Sequence, residues 1–172
     1  GGSNEGYFAQ DKETGEFYYI KFPSNNDAAN QEILASKLYR LAGILTPELS
    51  TVSTADGKSG IASKVVTKTH KIGVNNETEE FKKGFAADAW LANWDIFKND
   101  NAQFSTKDNT VIRMDVGGSL QYRARGTMKS PKDFNYEVKA LSSLIEQNLH
   151  SPLANIDVQT LLSSIERIIT IK

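Results

Sequence analysis

Aromatic and β-branched residues gather in short runs over the first third of the chain, and longer apolar stripes at helical spacing dominate the rest. Tyr7-Phe8-Ala9-Gln10 and Glu16 to Phe22 read as two strands, joined by a turn at Asp11 to Gly15 where glycine supplies the conformational freedom. A helix is predicted from Ala28 to about Leu41. Asp27 is its N-cap, Gly43 closes it, and Ile33, Leu34, Leu38 and Leu41 form its apolar stripe. Leu45 to Val52 and Gly60 to Val66 read as two further strands around the turn Ala55-Asp56-Gly57. Thr67 to Glu80 is polar and irregular, so the boundary between two lobes, 1–66 and 67–172, is placed there. A helix is then expected from Thr78 to about Trp94. A short hairpin around Lys107-Asp108-Asn109 follows, with strands at Ala102 to Phe104 and Thr110 to Met114. Ser130-Pro131 opens another helix running to about Asn148, broken near His150 and Ser151-Pro152. Asp157 caps a last helix, and its Leu161, Leu162, Ile165, Ile168 and Ile169 are expected to face the core.

Composition narrows the function classes. A formal charge of −1 excludes the basic surface expected of a nucleic-acid binder. The absence of cysteine removes disulfides, thiolate zinc sites and a thiol nucleophile. No apolar run reaches the ~18 residues of a membrane span, so a soluble protein is expected, either cytoplasmic or a secreted effector. The chain opens Gly1-Gly2-Ser3 without an initiator Met, which suggests a fragment or a processed chain. Zincin, nucleophile-elbow and Walker signatures are missing.

The candidate chemistry centres on Ala86 to Gly118. Asp95, Asp100, Asn101 and Asp115 stand where the apolar pattern stops, and Asp115 is followed by Val116-Gly117-Gly118. Carboxylate and amide oxygens are the ligands that hard cations such as Mg²⁺ take. Lys21 lies inside a strand, on the face opposite Ile20 and Phe22, and is either solvated or a phosphate-gripping lysine. Glu32, beside the stripe of the following helix, is the partner such a lysine would need. Gly1 to Gly6 form a glycine-rich turn ahead of the first strand, where backbone N–H groups could close on phosphates. His70 reads as a surface histidine, and Trp90 and Trp94, four apart, as packing residues. Arg123, Arg125, Lys129 and Lys132 form a basic patch that is either plain solvated surface or a receiver of an anionic group.

Taken together, the phrases EFYYIKFP, EILASKLYRLAGILTPE, FAADAWLANWD with the later Asp-Asn, and MDVGGSLQYRARG resemble the atypical branch of the protein-kinase-like superfamily, near HipA-type kinases, small bacterial effector kinases and phosphoinositide 3- and 4-kinases. The resemblance covers about Gly1 to Gly126. It implies an α+β, two-lobed kinase-like fold, with a small antiparallel β N-lobe carrying one helix and a reduced, mainly helical C-lobe. It implies ATP and Mg²⁺ as cofactors. Gly1, Gly2, Ser3, Asn4 and Gly6 would cover the phosphates, Lys21 would grip them and pair with Glu32, and Val65 and Val66 would sit at the adenine hinge. Asp95 would take the acceptor's proton. Asn101 and Asp115 would hold the metal, with Asp100, fifth after Asp95, as the alternative to Asn101. The acceptor would be a Ser/Thr hydroxyl of a protein. The alternatives are a phosphoinositide or small-molecule hydroxyl, or a non-catalytic kinase-like interaction module.

Overall fold

The computed structural model describes residues 6–23, 25–73, 76–97, 100–123, 125–136 and 156–171. The fold is α+β, and the described residues build two antiparallel sheets and a few helices. Strands β1 (Gly6–Gln10), β2 (Phe17–Lys21), β3 (Leu49–Ser53) and β4 (Ser59–Lys64) form a four-stranded sheet in the order β1-β2-β4-β3. Strands β5 (Thr69–Lys71), β6 (Ala102–Ser105) and β7 (Thr110–Arg113) form a three-stranded sheet in that order. The third strand expected from Leu45 begins only at Leu49. Pro47 cannot donate to a ladder, and Leu45 makes just an isolated bridge to Ile112. Conversely, part of the stretch read as irregular forms β5, where His70 pairs with Phe104 in register and is held by Glu77 at 2.9 Å.

Helix α1 (Asn26–Leu41) starts two residues earlier than expected. Asn25, not Asp27, is its cap, accepting from the Ala28 N–H at 2.7 Å. Of the aliphatic stripe, Leu38 packs against the core, but the buried positions are others. Glu32, Ala35, Ser36 and Tyr39 point inward, while Leu34 and Leu41 are exposed. The spacing i, i+3, i+4, i+7 is that of one helix face. The polar members tolerate burial because each meets a partner from elsewhere in the chain. Ser36 Oγ lies 2.7 Å from Thr46 Oγ1, and Tyr39 Oη donates to Asp88 Oδ1 at 2.8 Å.

The helix expected over Thr78 to Trp94 is two shorter ones, α2 (Asn76–Lys82) and α3 (Phe85–Trp90), followed by a 3₁₀ turn at Trp94–Phe97. The break falls at Gly84. A Cβ there would lie 2.2 Å from Arg113 Nη2, so the guanidinium occupies the space a side chain needs. Trp90 and Trp94, expected to pack, are 41% and 39% exposed. Ser130 caps a helical stretch over 131–136, its Oγ accepting from the Asp133 N–H. The rest of that predicted helix and His150 lie outside the described residues. Helix α4 (Val158–Ile169) is capped by Asp157, which accepts from the Thr160 N–H at 2.9 Å. Leu161 and Ile168 pack inward, but Leu162, Ile165 and Ile169 are exposed, so only part of the expected face is core.

Among the described residues, two apolar clusters hold the parts together. Phe81, Phe85, Ala89, Ile96, Ala102, Phe104 and Val111 form one around α2, α3 and the second sheet. Ala35, Tyr39, Ala42, Ile44, Ala87, Leu91 and Val116 form the other. The second cluster joins α1 of the first sheet's region to α3. Burial of each large side chain contributes roughly 1.5–3 kcal/mol, so α1 is anchored to the segment that leads into Asp95.

Candidate active site

Lys21 closes β2. Strand alternation turns its side chain away from Ile20 and toward the buried face of α1, where Glu32 sits on the second turn. Lys21 Nζ lies 2.7 Å from Glu32 Oε1, with the two side chains 14% and 7% exposed. A second acid reaches the same ammonium. Asp115 Oδ1 is 3.6 Å from Lys21 Nζ, and its side chain is 44% exposed. Burial alone would push the Lys21 ammonium down, but the Glu32 and Asp115 carboxylates outweigh it and hold it above its ordinary value. Burial pushes the Glu32 carboxyl up, against the pull of Lys21, and the nearby Asp115 charge adds to the rise.

Asp115 is delivered by the end of β7. The chain then turns through Gly117, whose N–H donates back to Asp115 Oδ1 at 3.0 Å. The two glycines are needed for contact rather than for φ. A Cβ on Gly117 would stand 2.9 Å from Glu32 Oε2 and 3.2 Å from Asp115 Oδ1. A Cβ on Gly118 would stand 2.7 Å from Asp95 Oδ2. The Gly117-Gly118 backbone therefore threads between three carboxylates, and Asp95 joins the cluster through Gly118. Asn101 lies beside Asp115 through the backbone, its carbonyl accepting from the Met114 N–H at 2.8 Å and the Asp115 N–H at 3.5 Å. Its Nδ2 donates to the Asp95 carbonyl at 2.7 Å, which leaves Oδ1 as the atom that could face a cation.

Other residues singled out in the sequence lie elsewhere. The Asp100 carboxylate faces Lys71 at 3.6 Å in an exposed pair. Val65 and Val66 line a cavity of about 450 Å³ with Glu16, Arg40, Lys64 and Lys107, to which none of Lys21, Glu32, Asp95 and Asp115 contributes. Gly1, Gly2, Ser3 and Asn4 fall outside the described residues. Gly6 is paired directly with Lys21 in the hairpin. In the basic patch, Arg123, Arg125 and Lys132 are exposed, but Lys129 is buried at 5% exposure and does not belong to it.

A buried polar network supports the cluster. Arg113 donates to Asp88 through Nε at 3.3 Å and Nη2 at 2.8 Å, and to the Phe81 carbonyl at 2.8 Å. Asn93 Nδ2 donates to Tyr39 Oη at 3.0 Å, tying the segment before Asp95 to α1. Burial raises the Asp88 carboxyl against Arg113's pull, and burial beside Asp88 raises the Tyr39 phenol well above its ordinary value. The sequence carried a signal for this network, since Asp88 and Arg113 are single opposite charges inside the apolar runs Ala86 to Leu91 and Val111 to Met114.

As donors, a half-exposed carboxylate beside an amide oxygen suit a hard cation that keeps waters and takes substrate phosphate oxygens, as Mg²⁺ does. Glu32 holds Lys21, and a cation drawn to Asp115 would leave the Lys21 ammonium to meet an anionic oxygen.

No protein-family model and no curated protein matches the chain. Among solved structures, the fold is similar to that of the Helicobacter pylori proinflammatory kinase CtkA. The TM-score is 0.53 at 12% identity, over 98% of this chain and 87% of that one. The N-terminal 618-residue fragment of LepB from Legionella pneumophila is similar over 94% of this chain at 12% identity and a TM-score of 0.49, and the chain spans 36% of that fragment. At this identity the likeness to CtkA carries the architecture alone. The chain has a kinase-like, two-lobed α+β fold.

Proposed function

We propose that the chain is an ATP- and Mg²⁺-dependent phosphotransferase acting on a Ser/Thr hydroxyl of a protein. One observation carries the reading: Lys21, Glu32, Asp95 and Asp115, spread over the chain, meet around the Gly117-Gly118 backbone in a kinase-like fold. In this reading residues 1–66 form the nucleotide-binding lobe, and 67–172 carry the catalytic and metal loops.

Lys21 holds the α- and β-phosphates, and Glu32 fixes the direction of its ammonium. Asp115 and the Asn101 amide oxygen hold Mg²⁺; Asp100, committed to an exposed pair with Lys71, is the weaker choice. When bound, the metal supplies neutralisation of the charge on the transferring phosphoryl group. Asp95 orients the acceptor hydroxyl and takes its proton on a carboxylate oxygen. Much of the acceleration then comes from holding donor and acceptor in line, so the rigidity of the cluster is itself catalytic capacity. A protein acceptor is preferred to a phosphoinositide because one of the four cations that motivated a lipid headgroup site, Lys129, is buried.

Incubation with γ-labelled ATP and Mg²⁺ tests the proposal. Label is expected on the chain itself or on a generic protein acceptor, and is expected to vanish in Asp115→Ala. Transfer that survives Asp115→Ala removes the metal-loop assignment. Label passing only to lipid or small alcohols in an acceptor panel removes the protein acceptor. Absence of both transfer and nucleotide binding leaves a kinase-like fold serving as an interaction module.

A further inference from the structure

The loop that carries Asp95 and the loop that carries Asp115 meet at a joint that the phosphotransfer reading does not use. Leu120 N–H donates to the Leu91 carbonyl at 2.7 Å, crossing from one loop to the other. Lys129 Nζ donates to the Ala92 carbonyl at 2.8 Å and to the Gly118 carbonyl at 2.7 Å, so one ammonium grips both backbones. Each gripped carbonyl stands three residues from its acid, Ala92 before Asp95 and Gly118 after Asp115. The backbone is unusual at the same place. Ala92 has φ 52° and Leu120 has φ 56°, left-handed values that residues with a side chain adopt only when surrounding contacts impose them. Ala92 is fully buried, and Lys129 is 5% exposed.

Lys129 is brought there by a short return of the chain. Tyr122 and Met128 form an isolated bridge, and the Lys129 N–H donates to the Gln121 carbonyl at 2.6 Å. Gln121 in turn accepts from Gln31 Nε2 at 2.9 Å and donates its N–H to Gln31 Oε1 at 3.0 Å. Gln31 adjoins Glu32 on α1. A lysine used only to cover apolar surface would send its ammonium to water. This one ends on two main-chain carbonyls belonging to different functional loops.

We propose that Lys129 is a positioning residue for phosphoryl transfer: by clamping the Ala92 and Gly118 carbonyls it fixes the separation of Asp95 from Asp115. The proposal rests on the phosphotransfer reading of this site. Lys129 acts through the two main-chain carbonyls, and gripping nucleotide falls to Lys21. Loss of the clamp therefore slows turnover without weakening nucleotide binding in proportion. A misplacement on the order of 1 Å costs about 100-fold in rate.

The chain contains no cysteine, which permits a clean substitution of one atom group. Lys129→Cys, alkylated while unfolded and then refolded, can carry either an aminoethyl or a propyl group. The two have nearly the same shape, and only the first restores an ammonium. The expected result is kcat about 100-fold lower for the propyl form than for the aminoethyl form, with Mg²⁺-ATP affinity within about threefold between them. Equal kcat values, or a loss that resides wholly in nucleotide affinity, overturns the proposal. The encoded pair Lys129→Met and Lys129→Arg makes the same comparison without refolding, with turnover expected in the order wild type, Arg, Met. If the wild-type protein transfers no phosphate, the phosphotransfer reading has failed rather than the clamp. Amide hydrogen exchange then decides the clamp: faster exchange over both 93–96 and 117–120 in the propyl form supports it, and unchanged exchange at either loop overturns it.

Discussion

The Arg113–Asp88 pair and the Lys21–Glu32 pair are both buried, yet their surroundings differ. Arg113 and Asp88 are 1% and 0% exposed. Arg113 makes two bonds to Asp88 and one to the Phe81 carbonyl, and the guanidinium lies 4.7 Å from the centre of the Phe81 ring. Asp88 takes a further bond from Tyr39. Lys21 keeps 14% of its side chain exposed and has, besides Glu32, the half-exposed Asp115 at 3.6 Å. A sealed pair can only hold structure. A pair with an open side and a surplus carboxylate can receive something charged. Fixing an ionic group in place costs desolvation in both cases, and only in the second does that arrangement leave chemistry available.

Breaking the sealed pair should have the largest effect. Asp88→Ala leaves the Arg113 guanidinium buried without its carboxylate and should lower unfolding free energy by about 3–5 kcal/mol, read by urea denaturation. A loss under about 1 kcal/mol would mean that the guanidinium finds solvent and the contrast is false. Gly118→Ala comes next. Its Cβ would meet Asp95 Oδ2 and Cβ, atoms of a short side chain that cannot move far. A stability cost of about 1–3 kcal/mol is expected, together with a fall in phosphate transfer beyond what the folded fraction explains. Unchanged transfer would separate Asp95 from the site.

Glu32→Gln should have the smallest effect on stability at pH 7, below the Asp88→Ala loss, because Asp115 still faces the Lys21 ammonium and the carboxylate it replaces is already disfavoured by burial. The pH dependence has a definite sign. The folded-state value of Glu32 is raised above 4.5, so the folded chain binds this proton more tightly than the unfolded chain does. As pH falls from 7 through the raised value toward 4.5, the wild type gains stability from this group, and Glu32→Gln gains none. The stability difference should move in favour of the wild type on acidification. A difference that is flat, or moves the other way, contradicts the burial argument.

The α+β class and the order of strands and helices were legible because alternation, turn glycines and caps act locally. The contact of Lys21 with Glu32 was also legible, since strand alternation and helix position each point one side chain. What escaped depends on partners far along the chain. The buried face of α1 carries Glu32 and Ser36 rather than leucines because Lys21 and Thr46 wait for them. The break at Gly84 is set by Arg113, 29 positions on. Lys129 looked like surface charge because nothing in its neighbours announces two carbonyls from other loops. Trp90 and Trp94 follow helical spacing, but the helix ends between them. The metal alternative at Asp100 or Asn101 was a one-residue ambiguity that only the backbone pairing beside Asp115 addresses.

The most direct test is the stabilisation of the protein by Mg²⁺-ATP, measured as the shift in Tm against nucleotide concentration for the wild type and Lys21→Met. A ligand that binds the folded chain raises stability by an amount that grows with its concentration over Kd, about 2.7 kcal/mol at a hundredfold excess. The account predicts a rising Tm for the wild type, dependent on Mg²⁺, and a flat response for Lys21→Met. A flat wild-type response up to millimolar nucleotide, or an equal rise in Lys21→Met, would contradict it.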